Sequence, residues 1–549
     1  MNDRNRQIYA LLFLLALIVN LSGIGVRFFT DDPGLYASLA KNLIYKHNFW
    51  QLYTYNQDWL DKPHFPFWMT YFSFKVFGIH DWAYRLPALF FFLLSCVYTY
   101  LFSRKFYGRE IAAMAVLILM TAQMVLMSNV DVRAEPYLMG LIIGSLYHIS
   151  HLDERFSFGH LFLAALLTAC ALMTKGLFVV VAIYGGLFFQ LLMHRRLIKL
   201  FSLKWIGLVL LTAIFTLPEI YALYIQFDTH PEKVVFGTQH VSGIKWFLWD
   251  SQFGRFVNTG PITRKTGNPF FFVHTLLWAF APWCLMFYFA VCRTVREIFR
   301  KHKLNEYYTF GGGMLLLLLF SFSSFQQPFY PNSIFPLFAI ITAPYCYVQL
   351  NKFGTKYRLI SQWLYIVALP ALILFINFVM LPGRQLLLAG DCMVFGVVIF
   401  FISSRIKAAD KRVFMINCAV ALFVNFYLNT VFYPKLTTYK GQFTAAEYIN
   451  QPQFSKYHIY SLRAENNIFQ FYTNRPIDLL PLEKFQAFQP TDSAVFFASQ
   501  PSMDQLLQSH VQFKMLKSFV DYPQENILPA FVNYQTRNTT LRHVYLITK

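Results

Sequence analysis

Residues 28–68 read FFTDDPGLYASLAKNLIYKHNFWQLYTYNQDWLDKPHFPFW. The stretch follows an apolar run and is itself too polar to cross a membrane. It opens on two adjacent carboxylates, Asp31 and Asp32, and closes on Asp61, Lys62, Pro63 and His64. Charged groups this close to lipid are costly and mark function by default. The stretch therefore reads as an active-site shelf at one membrane surface, which the rest of the chain holds in place.

The composition supports that frame. Of 549 residues, 56% are apolar, 19% aromatic and only 13% charged. Apolar runs of about 18 residues or more read as membrane-spanning helices. A net charge of +20 invites a nucleic-acid reading, but the basic residues sit in short runs between apolar segments. That is how a polytopic membrane protein distributes its charge, so nucleic acid is excluded as a partner. The seven cysteines all fall inside apolar segments, which argues against a disulfide framework.

Thirteen spans are expected, near 8–26, 83–102, 111–128, 136–150, 161–173, 177–193, 205–225, 268–292, 307–325, 332–349, 360–381, 386–403 and 413–433. With the N-terminus inside, all but one of the inner loops carry at least three Lys or Arg, and the short outer loops carry one or none. The segment 161–173 is too short for a hydrocarbon core about 30 Å thick. It could be a re-entrant segment or part of one bent helix with 177–193, but a single crossing there would put the later basic loops outside, so two crossings are expected. Three outer regions remain: the loops 28–82 and 226–267, and a tail from 434 to 549. In the tail, TAAEYINQ reads as helix, while YHIYSL, SAVFFASQ and RHVYLIT read as short strands. The expected organisation is a membrane domain over 1–433 and a soluble α/β domain over 434–549.

The unusual charges all fall on the outer side. Beside Asp31, Asp32, Asp61 and Lys62 stand Asp131, Arg133 and Glu135 between spans three and four. Lys175 lies between spans five and six, Arg255 in the second large loop, and Tyr330 after span nine. Acids can accept a proton and cations can hold a phosphate leaving group, so the set suits chemistry on an anionic lipid. Each residue also has a plainer use. Asp31 or Asp32 can cap the helix that follows, Lys62 can pair with Asp61, and the 131–135 charges can pair among themselves. The outer-face histidines show no metal-ligand spacing.

The order of these elements resembles a known family. The chain reads DDPGLYASLAKNL, then DKPHFPFWMTYFSFKVFG, RLPALFF, the Glu135-Pro136 turn, a Thr174–Gly176 turn, Gln252–Phe256 and Pro282-Trp283. This is similar to the PMT/ArnT-like GT-C glycosyltransferases over roughly residues 8–340. The resemblance implies a polytopic α-helical fold in a bacterial inner membrane, with the active site and tail on the periplasmic side. It implies a sugar donor carried on polyprenyl phosphate, and lipid A, a glycan or a protein as acceptor. By position it makes Asp32 the first-loop catalytic acid, with Tyr36 keeping the register. Lys62 becomes the contact to the donor phosphate and Glu135 the second acid, with Asp131 and Arg133 able to share its role. No cofactor is implied, and a divalent metal stays open, since a diphosphate donor would call for one more than a monophosphate. Gln326 stands where aminoarabinose transferases often carry Lys, which weakens that sugar and lipid A as substrates. The rival reading is a transporter or flippase for a lipid-linked saccharide.

Overall fold

The computed structural model describes residues 3–257, 259, 261–262, 267–463, 466–489, 493–524 and 526–549, with the side chains of 3–5 and 255 left aside. The bulk of the chain is a helical bundle, and each of the thirteen expected spans contains helix. Among the described residues, six helices are long and apolar enough to cross a membrane, and three more are apolar but shorter. Of the others, 136–150 lies in the unbroken helix Glu135–Glu154, while 111–128 and 268–292 are interrupted. Residues 268–292 form two helices, Phe271–Ala279 and Cys284–Phe299. Pro282 lies in the break, where its missing amide cannot continue a helix.

The open question at 161–193 is resolved by two helices, Phe158–Lys175 and Phe178–Met193, with Gly176 at φ +90° closing the first. The first is longer than the apolar run because polar residues at both ends join it. Helices meet closely where side chains vanish. A Cβ on Gly312 would stand 2.2 Å from the Ala182 carbonyl oxygen, the small-residue contact common between membrane helices. Helices Lys352–Met380 and Gln385–Arg405 lie at the edge, with apolar faces left for lipid.

Three features build the end of the bundle that carries the shelf. Helix Asp31–Tyr45 begins with two acids and Pro33 in its first turn, which suits the positive helix N-terminus. The hairpin Tyr53–Thr54 with Gln57–Asp58 turns through Tyr55 and Asn56, both at positive φ. Helix Phe65–Phe77 then packs against helix Asp81–Tyr107.

On the same end sits a five-stranded sheet in the order Asp478–Leu479, His458–Ser461, Ala494–Ser499, Arg542–Thr548, Lys514–Asp521. The first three strands run parallel and the last two pair antiparallel. Strand Ala494–Ser499 is buried on both faces, as its unbroken apolar run requires. The expected helix and three strands are present. Strand Lys514–Asp521, masked in the sequence by its lysines, was not expected; it is an edge strand, where lysine blocks further pairing.

Candidate active site

The site is assembled by buried ties between segments distant in sequence. Arg85, only 1% exposed, donates from Nε to the Val130 carbonyl at 2.8 Å and from Nη1 to the Ile24 carbonyl at 2.9 Å. It thus holds the end of the first span against the 129–135 turn. Tyr84 donates to the Val132 carbonyl at 2.9 Å, so two neighbours on one helix fix the turn's backbone. Asn332 ties Ser128 to the far side at 2.9 Å.

On this frame Asp32, Asp131 and Arg133 form one network. Arg133 stands 2.6 Å from Asp32 and 3.2 Å from Asp131, and its guanidinium lies 4.2 Å over the Phe329 ring. Thr30 holds the N-cap position of helix Asp31–Tyr45 but turns its hydroxyl to Asp131. Neither aspartate holds the N-cap position of the helix. Burial works against the Arg133 charge, yet Asp131, Asp32 and Glu135 outweigh it and raise its pKa. The Asp32 side chain is 41% exposed against 13% for Arg133, so the carboxylate is held on one side and open on the other.

A second pair lies beside the first. Lys175 meets Glu135 at 2.5 Å, with the carboxylate 2% exposed. The Lys175 ammonium also sits 4.0 Å over the Tyr330 ring, and Gln252 donates to the Lys175 carbonyl at 3.3 Å. A narrow cleft of about 40 Å³ runs from here between Phe178, Leu316, Phe320 and Tyr330. Ser251, Gln252, Ser323 and Ser333 share its lining with these apolar side chains, and Lys175 is the one charged residue in that lining. Tyr36 stands among the acids. Burial pushes its phenol pKa well up, and Asp32, Asp61 and Glu135 add to the rise, so it stays a protonated donor.

Lys62 pairs with Asp61 at 2.6 Å, each about one-fifth exposed. Their loop is pinned by a residue not singled out in the sequence. Glu219, fully buried in the span Leu203–Leu223, accepts from the His64 amide at 2.9 Å and contacts His64 Nδ1 at 2.9 Å. An acid inside an apolar span was the available signal. Asp31 faces elsewhere: it accepts from the Asn467 amide at 3.1 Å and from the Asn467 side chain. The Arg255 side chain lies outside the described residues; its backbone belongs to helix Ser251–Val257, which also carries Gln252. Gln326 brackets Asn268 and the end of helix Tyr308–Phe322. Among the described residues no group of three or more His, Cys, Asp or Glu is placed to hold a metal ion.

The shelf at one end of the bundle thus carries the Arg133–Asp32–Asp131 network and the Lys175–Glu135 pair, with the α/β domain docked through Asp31. The family model of dolichyl-phosphate-mannose-protein mannosyltransferases matches residues 61–221. An uncharacterized protein of Aquifex aeolicus (strain VF5) is 23% identical over 377 residues, 67% of this chain and 70% of its own length. ArnT from Cupriavidus metallidurans bound to undecaprenyl phosphate superposes with a TM-score of 0.74 at 16% identity, over 98% of this chain and 97% of that one. Its apo state gives 0.73 at the same identity. The chain carries the GT-C fold of the PMT/ArnT-like proteins, as the order of its motifs implied.

Proposed function

We propose that the protein is an integral-membrane glycosyltransferase that moves a sugar from a polyprenyl-phosphate carrier to a lipid, glycan or protein acceptor at the periplasmic face of a bacterial inner membrane. The observation that carries this reading is the open Asp32 carboxylate, steadied by Arg133, in one charged cluster with the Glu135–Lys175 pair, whose lysine lines a small cleft. The fold, shared with a protein solved with undecaprenyl phosphate, supports it.

In this reading the polyprenyl chain runs toward the cleft and the phosphate meets Lys175 and Lys62. Asp32 accepts the proton of the acceptor's nucleophile, or orients it. The nucleophile's oxygen or nitrogen bonds to the anomeric carbon, and the bond from that carbon to the phosphate oxygen breaks. The electron pair leaves with the polyprenyl phosphate, whose growing charge the lysines offset. A single displacement of this kind inverts the anomeric centre. Glu135 keeps Lys175 aimed, and Tyr36 offers a hydroxyl donor between the acids. We assign Asp31 to docking the C-terminal domain, and place the boundary between the membrane and soluble domains at 433/434.

The test is turnover by purified protein. Incubation with labelled undecaprenyl-phosphate sugars should release undecaprenyl phosphate in the presence of membrane glycolipid or protein acceptors. Movement of the intact lipid-linked sugar between leaflets, with no carrier release, would make the protein a transporter.

A further inference from the structure

The helix that carries Asp32 and Tyr36 has a second working face. At about 100° per residue, Asp31, Gly34, Ser38 and Lys41 fall on the side opposite Asp32 and Tyr36. That side lies along the short helix Asn467–Tyr472 of the C-terminal domain. Asp31 takes the Asn467 amide at one end. Lys41, 2% exposed, donates at the other end to the carbonyls of Gln470 at 2.5 Å, Phe471 at 2.9 Å and Thr473 at 2.8 Å. An anion closes the N-terminus and a cation the C-terminus, which matches both the dipole and the free groups of a helix. Here both caps come from a part of the chain more than 400 residues earlier. Gly34 lets the two backbones meet, since a Cβ would stand 3.0 Å from Asn467 C and Ile468 N. Tyr472 completes the seat by donating to Asp81 at 2.9 Å and accepting from the Phe28 amide at 3.0 Å.

A buried ammonium is expensive unless fully hydrogen-bonded. A contact that needed only to bury apolar surface would be served by Leu or Met. What Lys41 adds is register: a slip of the helix by one turn would strip the ammonium of its three acceptors. The opposite face of the same rigid helix holds Asp32 at 2.6 Å from Arg133.

We propose that the C-terminal domain is a positioning element of the catalytic centre, and that Lys41 is the positioning residue through which it fixes the register of the Asp32 helix. The proposal rests on the reading of Asp32 as a catalytic residue, and its test keeps the two separable. In full-length wild type, undecaprenyl phosphate should raise the melting temperature and an undecaprenyl-phosphate sugar should turn over; failure of both removes the functional reading. In Lys41→Met, affinity for undecaprenyl phosphate should stay within about twofold while kcat falls on the order of tenfold or more, as small misplacements do. Lys41→Arg should recover part of the loss. Hydrogen exchange, read without any turnover, should quicken in residues 31–45 and 129–136 of Lys41→Met. Exchange that quickens only in 467–473, with kcat per folded molecule unchanged, reduces Lys41 to a local cap and overturns the proposal. Should Lys41→Met fail to fold, Gly34→Ala keeps both caps and displaces the contact by tenths of an ångström; a wild-type kcat there overturns it equally.

Discussion

Arg133 touches Asp32 and Asp131 at once, at 2.6 and 3.2 Å, and so decides which acid is available. Asp131 also takes the Thr30 hydroxyl, which leaves Asp32 the less encumbered of the two. Asp32→Asn keeps the shape and removes the basic oxygen. Turnover should fall by about 10²–10⁴-fold, the range for general acid–base groups. Folded yield and melting temperature should stay near wild type. A variant that turns over normally would shift the role to Asp131 or Glu135.

Lys175 and Glu135 are a buried pair, and removing one partner strands the other. Lys175→Met should cost about 3–5 kcal/mol of stability by leaving the Glu135 charge alone. Adding Glu135→Gln should restore much of that loss, because no charge is then left unpaired. Activity should remain lost in the double variant if the ammonium serves the donor phosphate. Thermal denaturation and turnover, measured on the single and the double variant, separate the stability effect from the chemical one.

Lys62 is tested against its own neighbour. As a phosphate contact, its loss in Lys62→Ala should raise the barrier by about 2–4 kcal/mol. As a partner of Asp61 alone, at about one-fifth exposure, it should contribute only about 0–1 kcal/mol. Lys62→Arg should keep part of the activity, since charge survives with altered geometry. Equal turnover in Lys62→Ala, Lys62→Arg and Asp61→Asn would take Lys62 out of the site.

Glu219 should behave as a support. Its two contacts to His64 fix the loop that presents Asp61 and Lys62. Glu219→Ala leaves a buried amide without its acceptor, a loss of about 1–3 kcal/mol. The melting temperature should drop by several degrees, and affinity for undecaprenyl phosphate should weaken with it. An unchanged affinity would mean that the loop holds itself.

Burial pushes the Lys41 pKa down to about 7, from an ordinary value near 10.4. Between those values the unfolded chain binds a proton that the folded chain does not. Stability therefore rises with pH across that window, by up to about 1.4 kcal/mol per unit, and is lowest below pH 7. Tyr45, whose ring lies 5.4 Å from the ammonium, has its own pKa raised above the ordinary tyrosine value by burial. Unfolding midpoints from pH 6 to 9 should climb in wild type relative to Lys41→Met. Parallel curves would show that Lys41 keeps its charge throughout.

Much of this fold was legible because apolar runs and loop charges are local. Helix in each of the thirteen expected segments and the main tail strands follow from them. The break near Pro282 was not, because hydropathy stays high across it while the helix cannot. The shelf residues were legible by their sidedness, but not by their partners. Asp31 and Asp32 look alike in the sequence, yet one step along a helix turns a side chain by about 100° and sends one to the tail and the other to Arg133. Glu219 escaped notice because it sits inside an otherwise clean span. Lys41 escaped it because its three acceptors come from the other end of the chain.

The strand order of the tail has a consequence for biogenesis. Strand Arg542–Thr548 lies inside the sheet, between Ala494–Ser499 and Lys514–Asp521. Until it has been made, its two neighbours have open edges and the Asn467–Tyr472 helix has an unfinished support. Every bundle helix is synthesised and available for insertion well before that moment. A nascent or prematurely terminated chain can thus sit in the membrane with all its acids and lysines and still lack a finished shelf. A chain cut short before Arg542 would therefore hold the bundle's charges against a sheet that has lost its inner strand.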